Sequence, residues 1–278
     1  MITGATGLLG SAFLNQITKM NCSVLSFTRT SGSSVYLSES ASIREVRYDI
    51  FSEDYEFLNK LPTPECIVHF AWGGLPNFQS SYHLDTEFPK QKLFLEYWIK
   101  RGVKKVIVLG TCFEYGLVEG EISEETVCKP VTLYGQAKNN LHAGLRNFIT
   151  NGDYVSQLIW LRVFYVKSEL RGIFNALSLA IQEGHLKFPM SGGQQVRDFL
   201  APQEIAEKIE IVVAARNPDS IYNICSGQPR RLIDLVEEFR REKLSEIEFE
   251  LGAFDYLDYE PLEFWGSTHK FDTLLSKK

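Results

Sequence analysis

The sequence lacks the cysteine and histidine patterns that mark disulfide-stabilised and metal-binding proteins. Its five cysteines are widely separated, odd in number and form no C-x-x-C pair. This usage argues against a disulfide framework or a zinc site, and it indicates a reducing compartment. The five histidines are also dispersed, with no H-x-x-x-H spacing, so we expect no metal ion in the protein.

Long apolar runs and basic tracts are missing as well. No segment reaches the roughly 18 uninterrupted apolar residues that a membrane span requires. The N-terminus lacks the basic region and apolar run of a signal peptide. Lysines and arginines are scattered and the formal net charge is −6, so neither nucleic acid nor a membrane is an expected partner. These absences predict a cytoplasmic protein.

What the sequence does contain is a regular alternation of strand-like and helix-like segments over its first half. Of the 278 residues, 44% are hydrophobic and 23% are charged, as in an ordinary globular protein. The apolar, strand-like runs are residues 22–27, 66–71, 103–109 and 156–164, and the segments with helical spacing are residues 10–20, 88–100 and 134–150. This order predicts an α/β fold, a Rossmann-type doubly wound parallel sheet with helices on both faces.

The alternation loosens after about residue 165. A helix is expected over residues 202–215, a strand over 221–225 and a helix over 232–241, while the serine-rich residues 31–42 predict a surface loop. We expect two units on this basis. Residues 1–164, with about 199–225, would form a dinucleotide-binding domain. Residues of about 165–198 and 226–278 would form a smaller C-terminal substrate-binding lobe.

A glycine-rich turn opens the chain. Gly4, Gly7 and Gly10 form G-x-x-G-x-x-G, with Ala5, Thr6, Leu8 and Leu9 between them. Such spacing gives a tight turn, close approach of the backbone to a pyrophosphate, and a helix N-terminus that faces the phosphates. The prediction is therefore a dinucleotide site at Gly4, Thr6, Gly7, Leu8, Leu9 and Gly10. Only three residues precede the first glycine, which is unusually short for a central strand.

The end of the second predicted strand bears on the choice of cofactor. A carboxylate there would bind the ribose 2′-hydroxyl of NAD, but the sequence has Thr28 and Arg29. The Arg29 guanidinium suits a 2′-phosphate, which favours NADP and leaves NAD possible. Asp49 closes the next predicted strand. It could accept a hydrogen bond from the adenine amino group or simply cap a turn.

A tyrosine and a lysine four residues apart are the candidate catalytic pair. Tyr134 and Lys138 lie in a predicted helix, where this spacing places both side chains on one face. Carbonyl reduction needs a proton donor, and a tyrosine with its ordinary pKa of about 10 is a slow one at neutral pH. A nearby ammonium lowers that pKa and can also bond the nicotinamide ribose. Thr111 ends a predicted strand and would orient the substrate oxygen.

At these motifs the sequence resembles the extended short-chain dehydrogenase/reductase family, in its nucleotide-sugar epimerase/dehydratase branch. The resemblance covers nearly the whole chain. The segments that carry it are residues 3–10, 49–50, 68–72, 102–111, 115–116, 130–138, 197–199 and 222–227.

The resemblance implies roles for individual residues. It implies a catalytic triad of Thr111, Tyr134 and Lys138. It further implies a cofactor lining that includes Ile50, Ala71, Trp72 and Gly73, and substrate contacts at Arg197 and Tyr165. Arg197 would grip the diphosphate of a nucleotide sugar, which suits a bidentate guanidinium, whereas an ion pair with a neighbour such as Asp198 is the structural alternative. Tyr165 stands where most of the family has asparagine. A homodimer formed through the two helices that contain Phe88 and Tyr134 is also implied.

Departures from the family pattern reduce the number of reactions that the sequence is compatible with. The 4,6-dehydratases have an Asp-Glu pair after the triad threonine, and here those positions hold Cys112 and Phe113, with Glu114 one residue later. The cysteine of the epimerase/reductases that make GDP-fucose would fall at Phe113. The remaining chemistry is reduction of a dTDP- or CDP-linked 4-keto-6-deoxyhexose for surface polysaccharides. A nucleotide-sugar 4-epimerase with tightly bound NAD, or a non-catalytic dinucleotide sensor, are the alternatives.

Overall fold

A computed structural model describes residues 1–29, 41–216, 218 and 221–276. Its strands are β1 (Ile2–Thr3), β2 (Cys22–Thr28), β3 (Ala41–Arg47), β4 (Cys66–His69), β5 (Lys105–Thr111), β6 (Gly120–Ile122), β7 (Gln157–Val163), β8 (Tyr165–Val166), β9 (Lys187–Met190), β10 (Val196–Arg197), β11 (Phe199–Leu200), β12 (Ile221–Ile224), β13 (Arg230–Arg231), β14 (Glu248–Leu251) and β15 (Phe264–Gly266). Its α-helices are α1 (Leu8–Ile17), α2 (Tyr55–Asn59), α3 (Phe88–Lys100), α4 (Leu133–Asn151), α5 (Gly172–Gln182), α6 (Pro202–Ala214), α7 (Leu232–Glu242) and α8 (His269–Ser276). A π-helical turn (His83–Glu87) leads into α3, and a 3-10 turn (Cys112–Glu114) follows β5.

Seven strands form one parallel sheet in the order β12–β7–β5–β4–β1–β2–β3. The chain builds outwards from β1 to β3, then crosses back to β4 and builds in the other direction. The strand order therefore reverses between β1 and β4, which is the position where doubly wound sheets bind their ligands. The predicted fold class is confirmed.

The strand β5 shows why the central strands are continuously apolar. Ile107 and Leu109 face a cluster that includes residues of α1 and α6. Val106 and Val108 face a second cluster that includes residues of α3 and α4. Alternate residues of a strand point to opposite faces, and helices cover both faces here, so every position of β5 between its ends is apolar.

The first strand is as short as the sequence indicates. β1 has two residues, and Ile2 pairs with Ser26 of β2 on one side and with Val68 of β4 on the other. The Met1 ammonium adds a hydrogen bond of 2.7 Å to the carbonyl oxygen of Cys66. These contacts place Thr3 at the head of the glycine-rich turn.

The second half of the chain forms a further hydrophobic cluster. Phe174 and Leu177 of α5 pack there with Val236 and Phe239 of α7. Two parallel strands, β9 and β14, complete its wall, with Phe188 opposite Phe249. This cluster lies within the segments predicted to form a substrate-binding lobe, and the division into two domains stays a prediction.

Element boundaries differ from the predictions by a few residues at most places. The helix predicted over residues 10–20 begins at Leu8 and ends at Ile17, and the strand predicted over 66–71 ends at His69. The strand predicted over 103–109 extends to Thr111, so this hydroxyl lies at the carboxyl end of β5 as expected. Of the predicted loop 31–42, residues 41 and 42 belong to β3 and the rest lies outside the described residues.

Candidate active site

The glycine-rich turn is shaped to admit backbone where side chains would collide. Gly4 has a φ of +67°, and a Cβ atom there would lie 2.7 Å from the backbone nitrogen of Ala71. A Cβ atom on Gly10 would lie 2.1 Å from the carbonyl oxygen of Gly4. Because Gly7 is the residue before α1, the free N–H groups of that helix N-terminus face the turn. The turn therefore fits a dinucleotide pyrophosphate.

A cleft lies at the carboxyl ends of β1, β2 and β4, in front of this turn. The predicted cofactor residues that line it are Gly4, Thr6, Gly7, Arg29, Asp49, Ile50, Ala71, Trp72 and Gly73. The other predicted cofactor residues, Leu8, Leu9, Gly10, Tyr134 and Lys138, lie outside this lining. Sequence reasoning missed Glu87, Gln91 and Arg171, which also line the cleft. Arg171 comes from the start of α5, so no local motif could have indicated it.

Arg29 follows the end of β2 and Asp49 follows the end of β3, and both line the cleft. Arg29 is exposed and lines the cleft. The Thr28 hydroxyl beside it donates to Oε1 of Glu45 at 2.8 Å, so a carboxylate from β3 does lie near the end of β2. Asp49 lines the cleft and its Oδ1 accepts from the backbone N–H of Phe51 at 3.0 Å. The turn-capping role of Asp49 is thus present, whichever contact it makes with a ligand.

Lys138 lies between the sheet and the indole of Trp72. Its Nζ donates to the carbonyl oxygen of Leu109 at 2.8 Å and is 3.9 Å from the centroid of the Trp72 ring. The Trp72 indole N–H donates to Nδ1 of His83 at 3.1 Å, and His83 Nε2 lies 2.9 Å from the carbonyl oxygen of Asn77. These partners require the His83 proton on Nε2. The ring face of Trp72 stabilises the ammonium by about 2 kcal/mol at a desolvated site.

The charge state of Lys138 is set by its burial and by two carboxylates. Burial lowers the pKa of Lys138 to about 7, because an ammonium is disfavoured away from water. The carboxylates of Glu114 and Glu87 act in the opposite direction and raise this pKa. The side chain is therefore poised to change charge near neutral pH.

Tyr134 shares the site but is held as a neutral phenol. Its side chain is 8% exposed, and burial raises its pKa, with the Glu114 carboxylate as the next contributor. A side-chain hydrogen bond with Thr111 lowers the pKa and so opposes these two causes. The structure thus brings Thr111, Tyr134 and Lys138 together, with Tyr134 as a neutral phenol.

A chain of aromatic rings extends from Tyr134, and we call Phe78, Phe113, Tyr165 and Tyr259 the aromatic enclosure. Phe78 and Phe113 have ring centroids 4.7 Å apart and lie 5.7 and 6.4 Å from that of Tyr134. Tyr165 lies 6.3 Å and Tyr259 6.5 Å from Phe113. The Tyr134 ring therefore borders a largely apolar region.

The Glu114 side chain points into the protein, where its partners are Thr111, Trp160 and Arg162. It is fully buried, with one oxygen accepting from the Thr111 N–H at 2.8 Å and the other from Nε of Arg162 at 3.0 Å. The indole N–H of Trp160 donates to both oxygens, at 2.9 and 3.0 Å. Glu114 is therefore a structural counter-charge that fixes the end of β5, and it is not placed to exchange protons with a substrate.

The two positions where dehydratases carry acid–base carboxylates offer none here. Cys112 is buried, and burial raises the pKa of its thiol above the ordinary value. Phe113 belongs to the aromatic enclosure. Neither of these two described positions therefore offers a carboxylate that could take part in water elimination.

Arg197 lies against Tyr165 at the border of a second cavity. Arg197 lines this cavity and its Nη2 donates to Oε2 of Glu260 at 2.9 Å. The Tyr165 hydroxyl donates to the same oxygen at 3.2 Å. The structural alternative for Arg197, an ion pair with a neighbouring carboxylate, is present, but the partner is Glu260 and not Asp198. Asp198 instead accepts from Ser226 and from the N–H of Gly227, because its side chain points towards that turn.

Within the described residues, no group of three or more His, Cys, Asp or Glu side chains could hold a metal ion. Across the ranges that the structure describes, no helix is long and apolar enough to span a bilayer. All five cysteines are free thiols.

A model of the NAD dependent epimerase/dehydratase family matches residues 1–225. The chain belongs to this family, and it is an enzyme of the extended short-chain dehydrogenase/reductase type. It is 29% identical over 272 residues to a dTDP-6-deoxy-L-talose 4-dehydrogenase (NAD(+)) of Aggregatibacter actinomycetemcomitans. That match covers 96% of this chain and 98% of the relative.

Solved structures show the same fold at lower identity. MoeE5 in complex with UDP-glucuronic acid and NAD has a TM-score of 0.81 at 21% identity, covering 99% of this chain and 91% of that one. A UDP-N-acetylglucosamine 4-epimerase from Methanobrevibacter ruminantium M1 has a TM-score of 0.81 at 18% identity, covering 98% and 90%. These likenesses establish the architecture.

Proposed function

We propose that the protein reduces the 4-keto group of a dTDP- or CDP-linked 4-keto-6-deoxyhexose. The aromatic enclosure beside Tyr134 carries this proposal. Its rings suit a C6 methyl group and disfavour a hydroxyl or carboxylate at C6, which would lose hydrogen bonds to water there. The relative named for a dTDP-linked 6-deoxy sugar and for chemistry at C4 supports the same substrate class.

The residues divide the work at the reacting carbon. Gly4, Gly7 and Trp72 line the cleft that would hold a reduced nicotinamide dinucleotide, which would supply the hydride to C4. Tyr134 donates the proton that converts the carbonyl oxygen to a hydroxyl, and Thr111 orients that oxygen. Lys138 offsets the charge that Tyr134 develops as its proton leaves. The proton comes from the phenol, the two electrons come with the hydride, and no leaving group departs.

A nucleotide-sugar 4-epimerase is the alternative that uses the same residues. It would remove and return a hydride at C4 and would keep NAD bound between the two steps. A non-catalytic sensor is disfavoured, because Tyr134 and Lys138 lie together with Thr111 in a buried site.

One assay distinguishes the reductase from the epimerase. Purified protein is mixed with NADH or NADPH and a panel of dTDP- and CDP-linked 4-keto-6-deoxyhexoses, and loss of the reduced-cofactor absorbance is followed. Rapid loss with one sugar is the expected result. No loss with any sugar, together with NAD that copurifies with the protein, would replace the reductase with the epimerase.

The family uses NAD, and we propose that this chain also accepts NADP through Arg29. Replacing Arg29 with Ala should weaken NADPH binding about tenfold or more, because a charge-assisted hydrogen bond contributes about 1.5–3 kcal/mol. NADH binding should change little. Titration of both cofactors by calorimetry measures the two effects, and equal changes for NADH and NADPH would remove this role from Arg29.

A pH dependence follows from Lys138. Its ammonium is the active form, and its pKa of about 7 means that half of the free enzyme loses this charge at that pH. We expect kcat/KM for sugar reduction to fall as the pH rises through about 7, since this parameter reports groups of the free enzyme. A value of kcat/KM that stays constant between about pH 6 and 9 would contradict this assignment.

We propose a homodimer formed through α3 and α4, which pack on each other and leave Leu93 of α3 42% exposed. Light scattering of the purified protein tests it. The substrate-binding role of the second lobe, a place in surface-polysaccharide synthesis and a cytoplasmic location stay predictions.

A further inference from the structure

The second cavity, which Arg197 borders, has an unusual balance of charge for a site that receives a diphosphate. It has a volume of about 770 Å³ and lies between the start of α5, β9 and residues 254–262. Of the described residues that line it, Arg197 is basic, whereas Asp255 and Glu260 are acidic. A single guanidinium must therefore attract the anion against two carboxylates.

The Arg197 guanidinium is already occupied in this structure. Its Nη1 donates to the carbonyl oxygens of Val196 and Leu262, each at 2.9 Å, and its Nη2 donates to Glu260 at 2.9 Å. The two carbonyl bonds orient the guanidinium. The Glu260 carboxylate takes a position that a phosphate oxygen would need, because both anions favour the same planar donors.

Glu260 is held from a second side as well. The Tyr165 hydroxyl donates to Glu260 Oε2, and the Arg197 guanidinium carbon lies 5.2 Å from the Tyr165 ring centroid. The Arg197 side chain is 5% exposed and the Glu260 side chain 16% exposed. The ion pair is thus partly shielded from water, which strengthens it relative to a surface pair.

The segment that carries Glu260 is fixed at its two ends. The N–H of Ala253 donates to the carbonyl oxygen of Met190 at 3.0 Å, and the N–H of Leu262 donates to Glu119 at 3.1 Å. Between these ends, Phe254 is 59% and Leu257 50% exposed. Glu260 lies outside the hydrophobic cluster of the lobe, and its neighbour Tyr259 packs on Phe78 and Phe113. A rotation of the Glu260 side chain alone is therefore the movement that would release Arg197.

We propose that Glu260 is a specificity-determining residue of the substrate site, which occupies Arg197 in the unliganded protein and must be displaced by a nucleoside diphosphate. The inference rests on the proposed function, since it assumes a diphosphate ligand at Arg197. Two anions then compete for one guanidinium, and the apparent affinity is reduced by the fraction of protein in which Arg197 is available. Only a ligand with a well-placed diphosphate offsets the loss of the Glu260 contact.

The test is calorimetric titration of the full chain and of Glu260→Gln with dTDP and with CDP. The glutamine keeps the shape of the side chain and can still accept from Arg197, but the bond to a neutral acceptor is weaker. We expect about five- to tenfold tighter binding of the nucleoside diphosphate by Glu260→Gln. Asp258→Asn is the matched control, because it removes one exposed charge from the same segment and should leave the affinity within about twofold.

Each outcome has a defined meaning. Unchanged affinity in Glu260→Gln, with unchanged NAD binding to show an intact fold, would overturn the proposal and leave the proposed function standing. Weaker binding would also overturn it and would make Glu260 a direct ligand contact. Tighter binding in both Glu260→Gln and Asp258→Asn would show that any loss of negative charge in this segment strengthens binding. That result would reject a specific role for the contact between Glu260 and Arg197. Absence of dTDP and CDP binding in every form of the protein would overturn this proposal together with the proposed function.

Discussion

Tyr134→Phe is expected to lower kcat for sugar reduction by about a thousandfold, because loss of a positioned general acid costs about 10²- to 10⁴-fold. The phenylalanine keeps the ring that packs on Phe78 and Trp72, at centroid distances of 5.7 and 6.0 Å. Only the hydroxyl is removed, so NADH binding and thermal stability should be nearly unchanged. Steady-state kinetics at saturating cofactor, with NADH titration alongside, measure both effects.

A second buried tyrosine supplies the control for this experiment. The Tyr115 hydroxyl donates to Oδ1 of Asn223 at 2.6 Å and is fully buried. Tyr115→Phe should therefore lower the free energy of unfolding by about 1 kcal/mol or somewhat more, through a lost hydrogen bond and an unpaired amide oxygen. Its turnover should stay within a few-fold of the parent. A Tyr134→Phe protein that keeps more than about a tenth of the activity would show that another group donates the proton.

Glu114→Gln is expected to lower the free energy of unfolding by about 3–5 kcal/mol, because it leaves the Arg162 guanidinium buried without a counter-charge. Arg162 is 4% exposed, and its Nη1 has no hydrogen-bond partner even in the parent protein. Glu114 is therefore the main compensation for that charge. Urea unfolding with linear extrapolation measures the change.

The matched variants are an exposed glutamate and a neutral pair. Glu125 is exposed, and Glu125→Gln should change stability by less than about 0.5 kcal/mol. The double variant Glu114→Gln with Arg162→Met should recover a large part of the loss, since a neutral pair of similar volume often replaces a buried ion pair at little cost. An unstable double variant would show that packing around Trp160, rather than charge, makes this cluster necessary.

The fold and the grouping of Thr111, Tyr134 and Lys138 were accessible from sequence because their signals are local. The G-x-x-G-x-x-G turn, the apolar run of β5 and the four-residue spacing of Tyr134 and Lys138 each lie within about ten residues. The boundaries of α3, Phe88–Lys100, agree with the predicted helix. Period and turn chemistry suffice for such features.

Features that depend on distant residues were not accessible in this way. The helix α5 was not predicted, since its sequence is apolar on most sides and follows a region of mixed pattern. The Glu260 contact with Arg197 joins residues 63 positions apart. The aromatic enclosure likewise draws Phe78, Phe113 and Tyr259 from three separate connections. Only the tertiary arrangement brings these side chains together, and no periodic pattern encodes it.

Trp72 is an intrinsic fluorophore located at the cleft. Its indole lines the cofactor cleft, whereas Trp98 and Trp160, two of the other three tryptophans, are fully buried in the core. Tryptophan emission overlaps the absorption band of reduced nicotinamide, so a reduced cofactor beside Trp72 would quench its fluorescence by energy transfer. Comparison with Trp72→Phe isolates that signal. Occupancy of the cleft can then be followed in real time with neither a sugar substrate nor an attached dye.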